Sequence, residues 1–269
     1  MTLSRKKLIS VVIPVSNREE ELRRAISSVL AQSVEELEII IVCNNSNFPE
    51  RLKGVCDRFQ DERINFFELK ECVNANVARN FGIKKSNGDY VAFLDSDDEW
   101  ESDHIKNCID VICRTKCKFV YGATKIFDGS GFYVKNSRGL VKGENPLDFL
   151  LGFNRGYAQT SSYLVNRTCF DIVKWDEQLY RHQDYDFFIR MVSNFDSGCN
   201  VNPDVVINWV RGEPRSYHHQ SVLRFLSIYK KRMGLYSYIR YHFMMMYVSF
   251  KRRSMSGFLF FVFSFFKFV

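Results

Sequence analysis

Gly88-Asp89-Tyr90-Val91-Ala92-Phe93-Leu94-Asp95-Ser96-Asp97-Asp98 runs from a turn through an apolar strand into three carboxylates within four positions. Like charges this close raise one another's energy unless something positive sits among them. Hard carboxylate oxygens suit Mg²⁺ or Mn²⁺, which proteins commonly hold with one or two acids plus substrate phosphates. Taken alone, Asp95-Ser96-Asp97-Asp98 is equally an acidic turn, since Asp and Ser are ordinary turn residues. Its place directly after a buried strand, in a chain that alternates strands with helices, favours the metal.

Outward from that strand, short β-branched runs at residues 8–15, 37–43 and 64–69 complete a set of strands with 90–94. Amphipathic helices are predicted between them, the pattern of a mostly parallel sheet covered on both faces. Asn17 is placed to cap the first helix with Glu20 three residues on, and Leu22, Ile26, Val29 and Leu30 form its apolar stripe. Helices are also expected over 74–85 and 103–114. Ligands of such sheets bind beyond the strand C-termini. After Phe119 the pattern loosens, with extended segments at 119–127 and 161–165, a Gly-rich stretch over 129–143, a helix over 184–193 and a strand over 204–210.

Two further segments carry chemistry. In Asn74-Ala75-Asn76-Val77-Ala78-Arg79-Asn80-Phe81-Gly82, the helix N-terminal amides and Arg79 suit a nucleotide or diphosphate. An ordinary capped helix, with Arg79 paired to a surface acid, is the alternative. In Arg181-His182-Gln183-Asp184-Tyr185-Asp186, Tyr185, Phe188, Ile189 and Val192 would form the buried stripe and leave Asp184 off it, in the first turn. Such a carboxylate either takes a proton from a bound hydroxyl or answers the helix dipole.

The 269 residues are 46% apolar and 26% charged, which excludes a disordered or collagen-like chain. Eight scattered cysteines in a chain this large point to a reduced compartment and not to a disulfide framework. Cys108, Cys113 and Cys117 fit helix neighbours, with no CxxC to make a zinc site. Arg5, Lys6 and Lys7 ahead of an apolar run superficially resemble a secretion signal, but Pro14 and the polar Asn17-Arg18-Glu19-Glu20 read as a strand and its exit. The catalytic part is expected to be cytoplasmic.

The net charge of +7 is unevenly spread. From Pro214 to the end there are ten Lys or Arg and no acid, so residues 1–213 carry a net −3. This divides the chain into a catalytic domain, 1–213, and a basic, aromatic-rich helical tail, 214–269. The apolar run from Gly257 is 13 residues long, too short to span a bilayer, which takes about 20. With Lys251-Arg252-Arg253 it suits an interfacial helix on anionic lipid, on the inner face of the cell membrane. A helix packed on the protein, with its cations in water, is the alternative. Long apolar runs such as 258–263 argue against nucleic acid.

The ordered set of segments resembles the family 2 glycosyltransferases, which have the GT-A fold. It comprises Val11-Val12-Ile13-Pro14-Val15-Ser16-Asn17-Arg18, Ala78-Arg79-Asn80, Asp95-Ser96-Asp97-Asp98, Thr160-Ser161-Ser162-Tyr163-Leu164-Val165, Trp175-Asp176-Glu177-Gln178-Leu179 and Gln183-Asp184-Tyr185-Asp186. The resemblance implies inverting transfer of a sugar from a nucleotide-diphosphate donor, UDP by family default, to a hydroxyl of a glycan or lipid-linked acceptor. The setting it implies is cell-surface polysaccharide or lipopolysaccharide synthesis. It makes Asp95 and Asp97 the D-x-D pair, with Asp97 the direct ligand of Mn²⁺ or Mg²⁺ and Asp95 also touching ribose or sugar. Pro14, Val15, Ser16, Asn17, Asn44, Arg79, Asp95 and Ser96 become the nucleotide-sugar site, and Asp184 the catalytic base. Ser16 and Cys43-Asn44 depart from the family's usual aromatic residue and acid pair at the nucleobase, and Gln183 replaces a Glu. His218 is a weaker candidate for a diphosphate or metal contact. A nucleotidyltransferase, or a silent sugar- or membrane-binding protein, would share many of these features.

Overall fold

A computed structural model describes residues 7–71, 74–209 and 218–266. The expected boundary at 213/214, with Arg5, Lys6, Arg215 and Lys267, lies outside the described residues. The strands are β1 (Ile9–Val15), β2 (Leu37–Asn44), β3 (Ile64–Leu69), β4 (Tyr90–Phe93), β5 (Glu99–Trp100), β6 (Phe119–Gly122), β7 (Thr124–Phe127), β8 (Phe132–Lys135), β9 (Leu164–Asn166), β10 (Ser197–Asn200) and β11 (Val205–Asn208). The helices are α1 (Glu19–Leu30), α2 (Pro49–Asp57), α3 (Ala75–Lys85), α4 (His104–Thr115), α5 (Pro146–Leu151), α6 (Gln183–Asn194), α7 (His219–Tyr229), α8 (Leu235–Lys251) and α9 (Met255–Phe266).

The main sheet has seven strands in the order β10-β6-β9-β4-β1-β2-β3. It is parallel except at β9, which runs antiparallel between β4 and β6. The continuous apolar run of β1 is buried on both faces, as a central parallel strand requires. Val12 and Phe93 turn to one side of the sheet, against α3, α5, α6 and the last three helices. Val11 and Ile13 turn to the other, with Leu22 and Ile26 of α1 and Ile105 of α4. Parallel pairing of β1 with β2 and with β4 places their C-terminal ends side by side, where the acids emerge. A smaller sheet, β5-β11-β7-β8, flanks them.

Several local expectations differ from the structure. Asn17 does not cap α1, whose N-cap is Arg18 without a side-chain cap bond. Asn17 takes a left-handed φ of 51°, and its Oδ1 accepts bonds from Ser46 Oγ and Asn47 N, both at 2.9 Å. It therefore ties the loop after β1 to the loop after β2, a role that Asn fills because it tolerates this conformation. Segment 119–127 divides at Ala123 into β6 and β7, which enter different sheets. The stripe of α6 is also rotated from expectation. Phe187, Phe188, Ile189, Met191 and the charged Asp186 are buried, whereas Tyr185 and Val192 are only partly so. Asp186 is tolerated because Arg190 pairs with it and the Tyr229 hydroxyl donates to its Oδ1 at 2.7 Å.

That Tyr229 belongs to the basic tail. Val222, Phe225, Tyr229, Tyr238, Tyr241, Met245 and Phe261 from α7, α8 and α9 pack in the same core as Phe149 and Phe187. The described tail is thus amphipathic, with an inner face built into the fold. No described helix is long and apolar enough to cross a membrane.

Candidate active site

Two cavities meet at the end of β4. The smaller, about 310 Å³, is lined by Pro14, Ser16, Arg18, Asn44, Ala75, Arg79, Asp95, Ser96 and Asp97. The larger, about 830 Å³, shares Arg79, Asp95 and Asp97 and adds Asp98, Gln159, Asp184, Tyr185 and Trp209, among others. Most residues singled out in the sequence therefore converge. Val15 is the exception in β1, since it is 1% exposed and belongs to the core behind the wall. Asn17 supports the two loops and does not line the cavity.

The acids play different structural parts. Asp98 is buried, with Oδ2 accepting from Ser161 Oγ at 2.6 Å and Gln159 Nε2 at 3.3 Å, and Oδ1 accepting from Asn208 N at 3.3 Å. Burial and the neighbouring acids hold its carboxyl well above the usual range. It anchors the turn to β11 and the segment before β9. Asp97 faces both cavities and pairs with Arg18. Its carboxyl is raised, mostly by burial and also by Asp95, against the pull of Arg18. Asp95 accepts from Arg79 Nη2 at 2.6 Å.

Arg79 is 4% exposed and braces the junction. Its Nη1 donates to Asn76 Oδ1 at 2.8 Å and Gln183 Oε1 at 2.7 Å, and its guanidinium lies 4.6 Å from the Trp175 ring centre. The surface ion pair entertained from sequence is replaced by a buried link between Asp95 and the first residue of α6. Gln183 provides a neutral acceptor for that cation, next to Asp184.

Asp184 lines the larger cavity and is absent from the wall of the smaller. Its Oδ1 accepts from Tyr185 N at 3.0 Å, and burial pushes its carboxyl up to about 6. His182, immediately before α6, adopts a left-handed φ of 58° and contacts the Tyr241 hydroxyl through Nε2 at 3.0 Å. Burial and Arg181 push His182 down to about 3, so the imidazole is neutral at physiological pH. A tail helix therefore contacts the residue that starts the turn bearing Asp184. His218 instead stacks on Tyr180, with ring centres 4.7 Å apart, and lines neither cavity.

Among the described residues, no group of three or more His, Cys, Asp or Glu side chains is set to hold a metal. Asp98 turns inward, which leaves Asp97 and Asp95 as hard donors at the junction. That set fits a cation of the Mg²⁺ or Mn²⁺ type whose remaining ligands are phosphate and water. Arg18, which pairs with Asp97, and Ser161, which holds Asp98, lie in the quoted motifs without a predicted site role, and Asn208, which also holds Asp98, lies in none of them. Arg18 reads as helix-start polarity, and the partners of Asp98 lie more than 60 residues away.

The family model for "Glycosyl transferase family 2" matches residues 10–171, which span β1 through the acidic turn to beyond β9. The chain belongs to glycosyl transferase family 2. This family 2 chain is 33% identical to the amylovoran biosynthesis glycosyltransferase AmsB of Erwinia amylovora over 189 residues, which cover 67% of this chain and 62% of AmsB. It spans less than two thirds of that relative's length. It is also 30% identical over 128 residues, 48% of the chain and 50% of the relative, to the Escherichia coli UDP-Glc:alpha-D-GlcNAc-diphosphoundecaprenol beta-1,3-glucosyltransferase WfgD. The S. aureus TarS 1–349 structure in complex with UDP-GlcNAc superposes with a TM-score of 0.67 at 14% identity, covering 90% of this chain and 72% of that one. At that identity the likeness shows the fold, and the expected GT-A arrangement of a mostly parallel sheet flanked by helices is borne out.

Proposed function

We propose that this chain is an inverting glycosyltransferase that moves a sugar from a UDP-sugar to a hydroxyl of a glycan or lipid-linked saccharide in bacterial cell-surface polysaccharide synthesis. The observation that carries this reading is the junction of two cavities at Asp95 and Asp97, with Asp184 on the wall of the larger one alone. The smaller cavity is read as the nucleotide site, formed by Pro14, Ser16, Asn44 and Ser96 with Arg18 beside the diphosphate. The larger cavity receives the acceptor. WfgD, named for a UDP-Glc donor, and the TarS complex with UDP-GlcNAc support this choice of nucleotide.

A divalent cation held by Asp97 and Asp95 would neutralise charge on the departing diphosphate. The chain's own residues do the rest. Arg79 fixes Asp95 relative to α6, and Asp184 accepts the proton of the attacking hydroxyl as its oxygen bonds to the anomeric carbon. The bond from that carbon to the diphosphate oxygen breaks in the same displacement, so no enzyme nucleophile is needed. Outside the cavity, Phe243, Tyr247 and Phe250 are exposed along α8, next to Lys251. This surface supports peripheral attachment to the inner face of the cell membrane.

A screen of nucleotide sugars with Mn²⁺ or Mg²⁺ and a lipid-linked acceptor extract tests the reading through nucleoside diphosphate release. Release of pyrophosphate instead would mark a nucleotidyltransferase. Asp97→Ala is expected to weaken metal-dependent donor binding by about tenfold or more, measured by calorimetric titration with and without the cation. Activity should also carry an acid limb. Asp184 accepts a proton only when ionised, so kcat stays level above its value of about 6 and falls about tenfold per pH unit below it. A flat pH–rate profile between pH 4.5 and 7 in a correctly folded enzyme would exclude this base.

A further inference from the structure

The larger cavity has two kinds of wall that the proposed chemistry leaves unused. One is cationic, from Arg155 and Arg181, and the other is apolar, from Leu150 and from Met244, Met245 and Val248 of α8. The loop bearing Arg155 is pinned on both sides. Arg240 Nη1 donates to Gly152 O at 3.0 Å, and Phe153 meets Tyr236 edge-on with ring centres 5.9 Å apart. Gly156 N donates to Phe149 O at 2.7 Å, and a Cβ on Gly156 would fall 1.9 Å from the Phe149 ring. Only glycine allows this approach, which holds the preceding Arg155 at the cavity. Burial and the Asp184 charge push the Tyr185 phenol up to about 12, whereas Arg155, Arg240 and Arg181 pull it down. Arg155 and Arg181 line this wall, whereas Arg240 stands outside the cavity lining and holds the Arg155 loop.

The other side of α8 faces outward. Tyr236, Phe243, Tyr247 and Phe250 recur at helical spacing and are 50%, 58%, 65% and 71% exposed. One helix thus lends apolar side chains to the cavity and aromatic side chains to the surface. A soluble sugar acceptor requires neither the apolar wall nor the cations.

We propose that Arg155, Arg181 and the Met244–Val248 side of α8 bind an alkyl diphosphate, the link between the acceptor's saccharide and its lipid. This rests on the reading of the larger cavity as the acceptor site. Guanidinium forks match the diphosphate oxygens, and the flexible methionines adapt to an alkyl chain. Arg181 lies three residues before Asp184, so their Cα atoms are at most about 11 Å apart. The anionic link and the reacting hydroxyl would accordingly be separated by a short saccharide.

Farnesyl diphosphate binding to the full chain tests the proposal, with farnesol, inorganic pyrophosphate and UDP plus Mn²⁺ titrated in parallel. The wild type should bind farnesyl diphosphate at least tenfold more tightly than either farnesol or pyrophosphate. Arg155→Ala should weaken farnesyl diphosphate about tenfold or more, Arg155→Lys should recover part of that loss, and UDP affinity should stay within twofold. Met244→Gln should weaken farnesyl diphosphate but leave pyrophosphate unchanged. Arg155 is exposed, and an unchanged melting temperature would confirm that Arg155→Ala is folded. Equal binding of farnesyl diphosphate by wild type and Arg155→Ala would overturn the site. A matching loss of UDP affinity would also overturn it, by assigning the arginine to the donor's diphosphate. Failure of glycosyl transfer with every donor, with Arg155-dependent farnesyl diphosphate binding intact, would sink the proposed function and leave this site standing.

Discussion

Asp184→Asn is expected to lower kcat by about 10²–10⁴ while leaving donor affinity within twofold. The amide keeps the carboxylate's shape and still accepts from Tyr185 N, but it has no basicity with which to take the acceptor proton. Donor affinity is spared because Asp184 does not line the smaller cavity. Single-turnover transfer, together with calorimetric titration of UDP-sugar and Mn²⁺, separates the two quantities. Transfer at the wild-type rate would show that another group accepts the proton. A parallel loss of donor binding would place Asp184 in the nucleotide site.

Phe187→Ala should cost about 3–5 kcal/mol of stability, a large share of the 5–15 kcal/mol typical of a domain. Phe187 is fully buried and stacks on Trp175 with ring centres 4.0 Å apart and planes within 7°. It also meets Phe93 of β4 edge-on at 6.0 Å and Phe119 of β6 at 6.4 Å. Truncation would leave a cavity between α6 and the sheet, directly behind the active site. Since the Trp175 ring also carries the Arg79 guanidinium, donor binding should weaken as well as stability. Urea midpoints of the two proteins at equal slope check the first effect. A loss under 1 kcal/mol would mean that the aromatic cluster repacks freely.

The parts of the fold set by local pattern were legible in the sequence. β1, β2 and β4 are apolar runs whose alternating sides fill two cores, and the acidic turn follows directly on β4. The ordered motifs alone carry the likeness to family 2. What escaped were features decided by partners far along the chain. Asn17 has the residue type of a helix cap, but the loop after β2 offers it better partners. Asp186 lies outside the stripe that apolar spacing predicts for α6, yet it is buried there because Tyr229 and Arg190 are brought to it.

The tail shows why composition misleads most where helices are two-faced. A sum of ten cations and no acid suggests a polar appendage, whereas Phe225, Tyr229, Tyr241 and Phe261 of the same segment complete the core and Arg224 pairs with Asp176. Deleting residues after 212 would therefore expose that core and confound a vesicle-binding test. Substitutions on the outer face, such as Phe243→Ser with Tyr247→Ser, leave the inner face intact and test membrane attachment cleanly.

The most direct test of the central claim is an NMR spectrum of the complete reaction of the full chain with a UDP-sugar, Mg²⁺ and a lipid-linked acceptor. The account predicts that UDP accumulates in step with a glycosylated product whose anomeric configuration is opposite to the donor's. Retention of configuration, or pyrophosphate in place of UDP, would contradict single displacement assisted by Asp184.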